Sequence, residues 1–239
     1  MRLWAGSTDI AGRWVKPRIV LAVLAVNLNQ PVTVEDLVDA VWDERPPRTA
    51  RNSLQWLVST LRRGLRDASR EPAGPMLATT PTGYRLSGCS DHVDLCRFRE
   101  LMTIARSRGD DHVAVDYARQ ALALWRGTAL ADVGGTWAQR TRQELRRERV
   151  SALATLFDLE LRVGRHRAVV DELWAAAERE PLSEVLAAQL LIALSRCGRD
   201  AEALERYAQV RERIIDTVGA EPGHLLRGLH AQILRGQLR

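Results

Sequence analysis

Apolar and polar positions in the N-terminal third of the chain predict two short strands followed by a helix. Residues 2–5 and 9–15 flank a polar turn and read as strands. Residues 16–28 form an apolar run of helical length, and Pro17 suits the first turn of a helix because that turn needs no amide donor there. The chain is therefore predicted to open with a small sheet and a buried helix.

A second helix is predicted to begin at residues 32–37. Thr33 is a suitable N-cap and Asp36 follows three residues later, close to a capping box. Residues 43–47 contain two prolines and break the helix. The apolar stripe of this helix is Leu37, Val38, Val41 and Trp42.

A third, longer helix is predicted over residues 48–68, with one apolar and one polar side. The apolar side consists of Ala50, Leu54, Leu57, Val58, Leu61 and Leu65. The polar side consists of Asn52, Gln55, Trp56, Ser59, Arg62, Arg63 and Arg66. One side must be buried, and the other offers amide and guanidinium donors.

A hairpin is predicted after the third helix. Residues 67–75 are polar and contain Pro and Gly, as in a loop. Residues 76–79 and 84–86 read as two strands joined by residues 80–83. Three helices, the third of them basic, followed by a hairpin is the layout of a winged helix-turn-helix, in which the third helix enters the major groove. Residues 1–88 are therefore predicted to be an α+β DNA-binding domain.

The rest of the chain, residues 91–239, is predicted to be an all-α domain. Helical patterns continue from Asp94 onward, interrupted by turns centred on glycine. Gly164 and Gly198, each followed by Arg, are 34 residues apart, which is the period of tetratricopeptide helix pairs. The predicted fold class is therefore mainly α, with a winged helix-turn-helix followed by a tetratricopeptide-like helical domain.

The charge distribution places a basic surplus in the predicted DNA-binding domain. The formal net charge is +5 and the pI is about 9.7. Residues 1–90 hold 12 Lys or Arg against 8 Asp or Glu, whereas the other 149 residues hold 23 against 22. Because 34 of the 35 basic residues are Arg, as GC-rich codon usage would produce, an Arg carries weight only where its position supports a role.

Amide and arginine side chains of the third helix are the candidate DNA contacts. Asn52 and Gln55 suit base edges, because an amide pairs with both N6 and N7 of adenine. The arginines suit phosphates or guanine, and Arg48 and Arg51 lie near the helix N-terminus, where free backbone amides also favour phosphate. The full candidate set is Arg48, Arg51, Asn52, Gln55, Ser59, Arg62, Arg63, Arg66, Thr80 and Arg85.

Trp56 lies on the polar side of the third helix, where an exposed indole is unfavourable unless it packs or binds. Packing against the hairpin is the preferred interpretation. Contact with thymine methyl groups or with sugar is the alternative.

Other chemistry finds little support in the sequence. Cys89, Cys96 and Cys197 are odd in number and lack metal-ligand spacing, which favours a reducing cytoplasm over a disulfide framework. His92 with Cys89 and Cys96 is the nearest approach to a zinc cluster, but its spacing is not that of a zinc site. No catalytic motif occurs and no apolar run has the length of a membrane span. We expect a cytoplasmic, nucleoid-associated protein that is not an enzyme and has no cofactor or metal.

Several segments together resemble the Streptomyces antibiotic regulatory protein (SARP) family. In the first domain the matching segments are 17–28, 32–42, Pro46-Pro47, 49–55 with 61–63, and 80–86. In the second domain they are 121–127 with 129–132, 161–165 and 197–204. The match covers nearly the whole chain in a specific order of motifs.

The resemblance implies an OmpR-type winged helix and a bacterial transcriptional activator domain. It implies an activator that binds tandem direct repeats in promoter DNA, as a head-to-tail homodimer, and recruits RNA polymerase holoenzyme. The regulated genes would belong to a secondary-metabolite, antibiotic-type biosynthetic cluster.

The sequence departs from the family pattern in three places. Relatives carry an extra strand before the segment that matches residues 2–10, so either the leading sheet is reduced or the start codon is misassigned. Thr80 stands where relatives commonly have Arg, which predicts a weaker grip of the hairpin on the minor groove, partly compensated by Arg85. The phosphate-binding glycine motif of larger relatives is missing, so ATP control is not expected.

A different class of function remains open for the helical domain. Stacked helix pairs form concave grooves that bind peptides or proteins. The chain would then be a protein-binding adaptor or ligand sensor without DNA binding of its own. The basic third helix and the hairpin argue against it, because an adaptor needs neither.

Overall fold

The computed structural model describes residues 4–5, 8–9, 15–68, 74–107 and 109–238. Strands β1 (Trp4–Ala5) and β2 (Thr8–Asp9) pair antiparallel. Helix α1 (Val15–Val26) begins at Val15, which corrects the strand predicted over residues 9–15 at its last position. Pro17 falls in the first turn of α1, where its missing amide costs nothing. The other parts of the two predicted strands, residues 2–3 and 10–14, lie outside the described residues.

The next three elements are β3 (Val32–Thr33), α2 (Val34–Trp42) and α3 (Ala50–Ala68). The predicted N-cap is confirmed, because the Thr33 hydroxyl accepts a hydrogen bond from the Asp36 amide at 3.0 Å. Strand β3 was not expected, since Val32 and Thr33 were assigned to the start of the helix. Val32 and Thr33 are β-branched and suit a strand. They adopt it because they pair with a strand that lies far away in the sequence.

A three-stranded antiparallel sheet completes this part of the fold. Strands β4 (Met76–Thr79) and β5 (Gly83–Ser87) form the predicted hairpin, and β5 lies between β3 and β4. In the sheet, Val32 pairs with Tyr84 and Leu77 with Leu86, and all four side chains are buried. The sheet, α1 and the apolar side of α3 thus share one core. We refer to residues 76–87 as the wing.

The remaining described elements are helical, which confirms the predicted fold class. They are a short 3-10 helix (Ser90–His92) and helices α4 (Asp94–Ser107), α5 (Asp111–Ala123), α6 (Thr136–Arg162), α7 (His166–Arg179), α8 (Glu184–Arg196), α9 (Asp200–Val218) and α10 (His224–Leu234). The two glycine turns share one geometry: Gly164 and Gly198 have φ of 78° and 75°, in the left-handed region that glycine adopts readily. In both, the following Arg amide donates to a carbonyl five residues back.

Contacts group the chain into two compact units. The first comprises residues 1–101 and 123–147, and the second residues 102–122 and 148–239. The second unit has its own core, which runs from α6 to α10 and includes Phe157, Leu173 and Leu190. The first unit holds the winged helix-turn-helix together with parts of α4 and α6. The division of the chain into domains 1–88 and 91–239 stays a prediction.

Candidate nucleic-acid interface

Helix α3 buries one side and exposes the other along its whole length. The predicted apolar residues Ala50, Leu54, Leu57, Val58, Leu61 and Leu65 are all buried. The exposed side chains are Arg51, Asn52, Gln55, Trp56, Ser59, Arg63, Arg66 and, near the end of the helix, Asp67. A helix of 19 residues is about 28 Å long, so this exposed side is long enough to follow a groove of DNA.

The exposed side of α3 is basic over most of its length. Residues 48–66 contain five arginines and no Asp or Glu. Arg48 lies in the turn that leads into α3 and is exposed. The free amides of the first turn add partial positive charge at the same end. A polyanion is the ligand that this arrangement favours.

Arg51 makes an ion pair with Glu35 in the first turn of α2. The Arg51 Nη2 to Glu35 Oε1 distance is 2.6 Å, and the two side chains are 76% and 64% exposed. An ion pair so exposed contributes at most about 1 kcal/mol to stability. Arg51 can therefore exchange this carboxylate for a phosphate at low cost.

Arg62 is half-buried and bound to the wing, in contrast to the exposed candidate arginines. Its Nε donates to the Leu77 carbonyl at 2.9 Å and its Nη2 to the Thr79 hydroxyl at 2.7 Å. Its guanidinium carbon also lies 5.9 Å from the centre of the Tyr84 ring, a cation–π contact. These contacts join α3 to both strands of the wing. Sequence periodicity could not reveal this role, because helical angle alone placed Arg62 with the exposed residues.

Arg63 and Arg66 continue the exposed side toward the end of α3. Arg63 is exposed, and Arg66 is exposed while its Nε donates to the Arg62 carbonyl at 3.3 Å. Ser59 and Gln55 lie one and two turns earlier on the same side, and both are exposed. The exposed amides thus lie in the first half of this side, whereas arginines lie at both of its ends.

Trp56 is 52% exposed on this same side of α3. About half of the indole is therefore open to solvent, and its packing against the hairpin stays a prediction. The Thr60 hydroxyl donates to the Trp56 backbone carbonyl at 3.0 Å, a bond within α3 that leaves the indole unengaged by Thr60. The indole is therefore accessible to a ligand that approaches α3.

The turn of the wing uses Thr80 internally. The Thr80 hydroxyl accepts from the Gly83 amide at 3.1 Å, and the Thr80 amide donates to the Gly83 carbonyl at 2.9 Å. Pro81 and Thr82 are exposed at the tip. Arg85 is exposed on β5 between the buried Tyr84 and Leu86, so it is the basic side chain of the wing available to a ligand.

Gly83 is required where β3 meets the wing. A Cβ at this position would lie 2.0 Å from the Val32 carbonyl oxygen. The Val34 amide donates to the Thr82 carbonyl at 3.1 Å, which ties the wing tip to the start of α2. The wing therefore has a fixed position relative to α2 and α3.

The cysteines and histidines give no metal centre in the described part of the chain. Cys89 Sγ lies 3.0 Å from His92 Nδ1, but no three His, Cys, Asp or Glu side chains there converge as metal ligands do. Over the same ranges, no helix is both long and apolar enough to cross a membrane.

Two family models match the chain and together cover most of it. The model described as "Transcriptional regulatory protein, C terminal" matches residues 16–86. The model described as "Bacterial transcriptional activator domain" matches residues 93–234. The first range contains α3 and all of the wing except Ser87, and the second contains α4 to α10.

Known proteins similar to the chain are bacterial regulators. Regulatory protein DnrI of Streptomyces peucetius is 36% identical over 228 residues, which are 92% of this chain and 84% of DnrI. Regulatory protein AfsR of Streptomyces coelicolor is 36% identical over 239 residues, 98% of this chain but 23% of AfsR. The solved structure of Mycobacterium tuberculosis EmbR in complex with a low affinity phosphopeptide superposes with a TM-score of 0.86 at 36% identity, covering 94% of this chain and 60% of EmbR.

Proposed function

The chain belongs to the Streptomyces antibiotic regulatory protein family of DNA-binding transcriptional activators, and from that membership we propose that it reads promoter DNA with α3 and the wing. The single observation that carries the proposal is the exposed side of α3, which is basic, contains no Asp or Glu between residues 48 and 66, and is framed by the wing. A helix of this kind fits the major groove of B-DNA, which is about 12 Å wide.

Asn52 and Gln55 supply the sequence preference in this proposal. Both amides are exposed in the first half of α3, the part that enters the groove deepest in helix-turn-helix proteins. Arg51 leaves Glu35 and reaches a phosphate or a guanine. Arg48 and Ser59 contact the DNA backbone. Trp56 follows Gln55 directly and offers its indole to sugar or a thymine methyl group.

Arg63, Arg66 and Arg85 neutralise phosphates. Arg63 and Arg66 lie at the far end of α3, and Arg85 on the wing reaches the flanking backbone or minor groove. Arg62 has a different task from the phosphate contact predicted for it: it positions the wing through Leu77 and Thr79. Thr80 shapes the wing turn and makes at most a secondary contact.

The assembly on DNA follows from the family. We propose that two copies of the chain bind tandem direct repeats as a homodimer and recruit RNA polymerase holoenzyme. The target genes would form a secondary-metabolite biosynthetic cluster, in keeping with the name of the family. The protein would act in the cytoplasm at the nucleoid, without catalysis and without a cofactor.

A titration of the purified chain against its own upstream promoter fragments and scrambled DNA tests the proposal. Binding is measured by fluorescence anisotropy at about 50 and 200 mM salt, a range over which phosphate contacts weaken strongly. We expect selective, salt-dependent binding that is lost in an Asn52→Ala/Gln55→Ala/Arg63→Ala triple variant. Arg167→Ala removes an exposed arginine of α7 and serves as the matched control. A folded chain that binds both DNAs equally would refute sequence-specific recognition.

A further inference from the structure

Helix α6 begins with a cap supplied by the helix-turn-helix. The Thr136 amide donates to Asp43 Oδ1 at 3.0 Å. The first turn of α6 contains no acidic residue of its own. Asp43 therefore provides both a hydrogen-bond acceptor and the negative charge that the N-terminus of this 27-residue helix favours.

Asp43 also ends α2, in a backbone conformation that disfavours a side chain. Its amide donates to the Asp39 carbonyl at 2.8 Å, and its φ and ψ are 50° and −137°. Glycine adopts this region freely, whereas an aspartate is strained there. Strain that persists in a folded protein points to a use for the residue, and here the carboxylate has one.

The backbone before Thr136 fits closely against the end of α2. Gly135 has φ of 94°, and a Cβ on it would lie 3.3 Å from Asp43 Oδ2 and 3.8 Å from the Ala40 carbonyl oxygen. A side chain at position 135 would therefore crowd the Asp43 carboxylate that caps α6. Both segments belong to the first compact unit.

The position of Asp43 constrains the start of α3. Residues 44–49 join Asp43 to Ala50, and Pro46 and Pro47 remove much of their freedom. The Arg45 amide donates to the Trp42 carbonyl at 3.1 Å, and the Ala50 amide to the Pro47 carbonyl at 2.9 Å. A short, stiff connection transmits any displacement of Asp43 to the first turn of α3.

We propose that Asp43 is a positioning residue for DNA recognition, which fixes the first turn of α3 by capping α6. The segment matched by the activator domain model thereby sets the angle at which Asn52 and Gln55 meet the bases. The inference rests on the proposed reading of DNA by α3. Asp43, an acidic residue outside the basic surface, would thus contribute to discrimination between DNA sequences.

Two substitutions of Asp43 separate this role from a purely structural one. Asp43→Gly removes the carboxylate and relieves the backbone strain, so the thermal midpoint should stay near that of the wild-type chain. Asp43→Asn keeps an oxygen that accepts from Thr136. Because both raise the net charge by one, Glu44→Gln is the matched control, at an exposed neighbour outside the cap.

The first readout is the ratio of affinities for promoter and scrambled DNA, measured with the full chain at one salt concentration. We expect Asp43→Gly to lower the ratio about tenfold, the equivalent of one well-placed base contact. Asp43→Asn and Glu44→Gln should keep the wild-type ratio. An unchanged ratio in Asp43→Gly, an equal loss on both DNAs with a lower thermal midpoint, or an equal defect in Asp43→Asn would each overturn the proposal.

Amide hydrogen exchange in the absence of DNA is the second readout. Asp43→Gly should speed exchange in residues 44–53, whereas Asp43→Asn should not. If the wild-type chain fails to distinguish promoter from scrambled DNA, the proposed function fails. Hydrogen exchange alone then tests whether Asp43 fixes the first turn of α3. Unchanged exchange in Asp43→Gly would then refute it.

Discussion

Arg62 on α3 donates from Nη2 to the hydroxyl of Thr79 on β4, at a distance of 2.7 Å. The same side chain donates from Nε to the Leu77 carbonyl on β4, the edge strand of the sheet. One guanidinium group thus holds the wing to the helix proposed to enter the major groove. The spacing between the two elements proposed to contact DNA depends on it.

Replacement of Arg62 should weaken DNA binding without changing its dependence on salt. Arg62→Ala removes the bonds to Leu77 and Thr79 and should lower the free energy of unfolding by about 1–2 kcal/mol. Because Arg62 does not contact phosphate in our proposal, the slope of log K against log salt should match that of the wild-type chain. Binding titrations at four salt concentrations measure this slope.

Arg63 is the matched comparison, one position along the helix and exposed. Arg63→Ala should reduce the magnitude of the salt slope by about one unit and leave stability unchanged. A reduced slope in Arg62→Ala, with an unchanged unfolding free energy, would return Arg62 to the phosphate contacts.

Gln55 should determine preference at a single base pair. Gln55→Ala removes an exposed amide of α3 and should cost about 1–3 kcal/mol on the cognate site. Substitution of each operator base in turn should show a relaxed preference at one position only. Ser59→Ala, one turn further on, serves as the comparison. Equal loss on every sequence would show that Gln55 contacts the backbone rather than a base.

Local patterns in the sequence sufficed for most of the fold. The N-cap at Thr33, the buried side of α3 and the hairpin depend on residues close together in the chain, and all three are confirmed. Strand β3 was missed because it pairs with β5, about 50 positions away, and two residues give no periodicity. A short strand is specified by its partner rather than by its own sequence.

The candidate site was predictable to the level of a helix face but not of individual roles. Helical angle grouped Arg62 with Arg63, although one braces the wing and the other is exposed. It also gave no reason to connect Asp43 with Thr136, 93 positions further along. Such contacts depend on how elements pack, which periodicity does not report.

Gly83 should tolerate no side chain. A Cβ there would lie 2.0 Å from the Val32 carbonyl oxygen, so Gly83→Ala must displace β3 or the wing. We expect a loss of about 1–3 kcal/mol in the free energy of unfolding, typical of overpacking. Gly109→Ala is the control, since a Cβ at Gly109 meets nothing within 4 Å. Denaturant unfolding of both variants tests this, and equal stabilities would contradict the close approach of β3 and β5.

His166 should make stability fall as the solution becomes acidic. Partial burial, and then the nearby positive charge of Arg196, lower the pKa of His166 below its usual 6.5. Arg196 Nη1 lies 2.9 Å from His166 Nε2, and because an arginine only donates, Nε2 must accept and the imidazole is neutral. In the unfolded chain the same group binds a proton near its usual pKa. Below that pH the unfolded state takes up more protons, so the stabilising effect of the neutral ring is lost.

Thermal midpoints of the wild-type chain and His166→Gln, measured from about pH 8 to pH 5, test this sign, since the usual histidine pKa lies within that window. Glutamine still accepts from Arg196 but does not titrate. Above the usual histidine pKa, the difference between the two thermal midpoints should be constant. Below that pKa, the thermal midpoint of the wild-type chain should fall relative to that of His166→Gln. His112→Gln, at an exposed position, controls for the loss of a histidine. Two curves that stay parallel over the whole range would show that His166 has the same pKa in the folded and unfolded states.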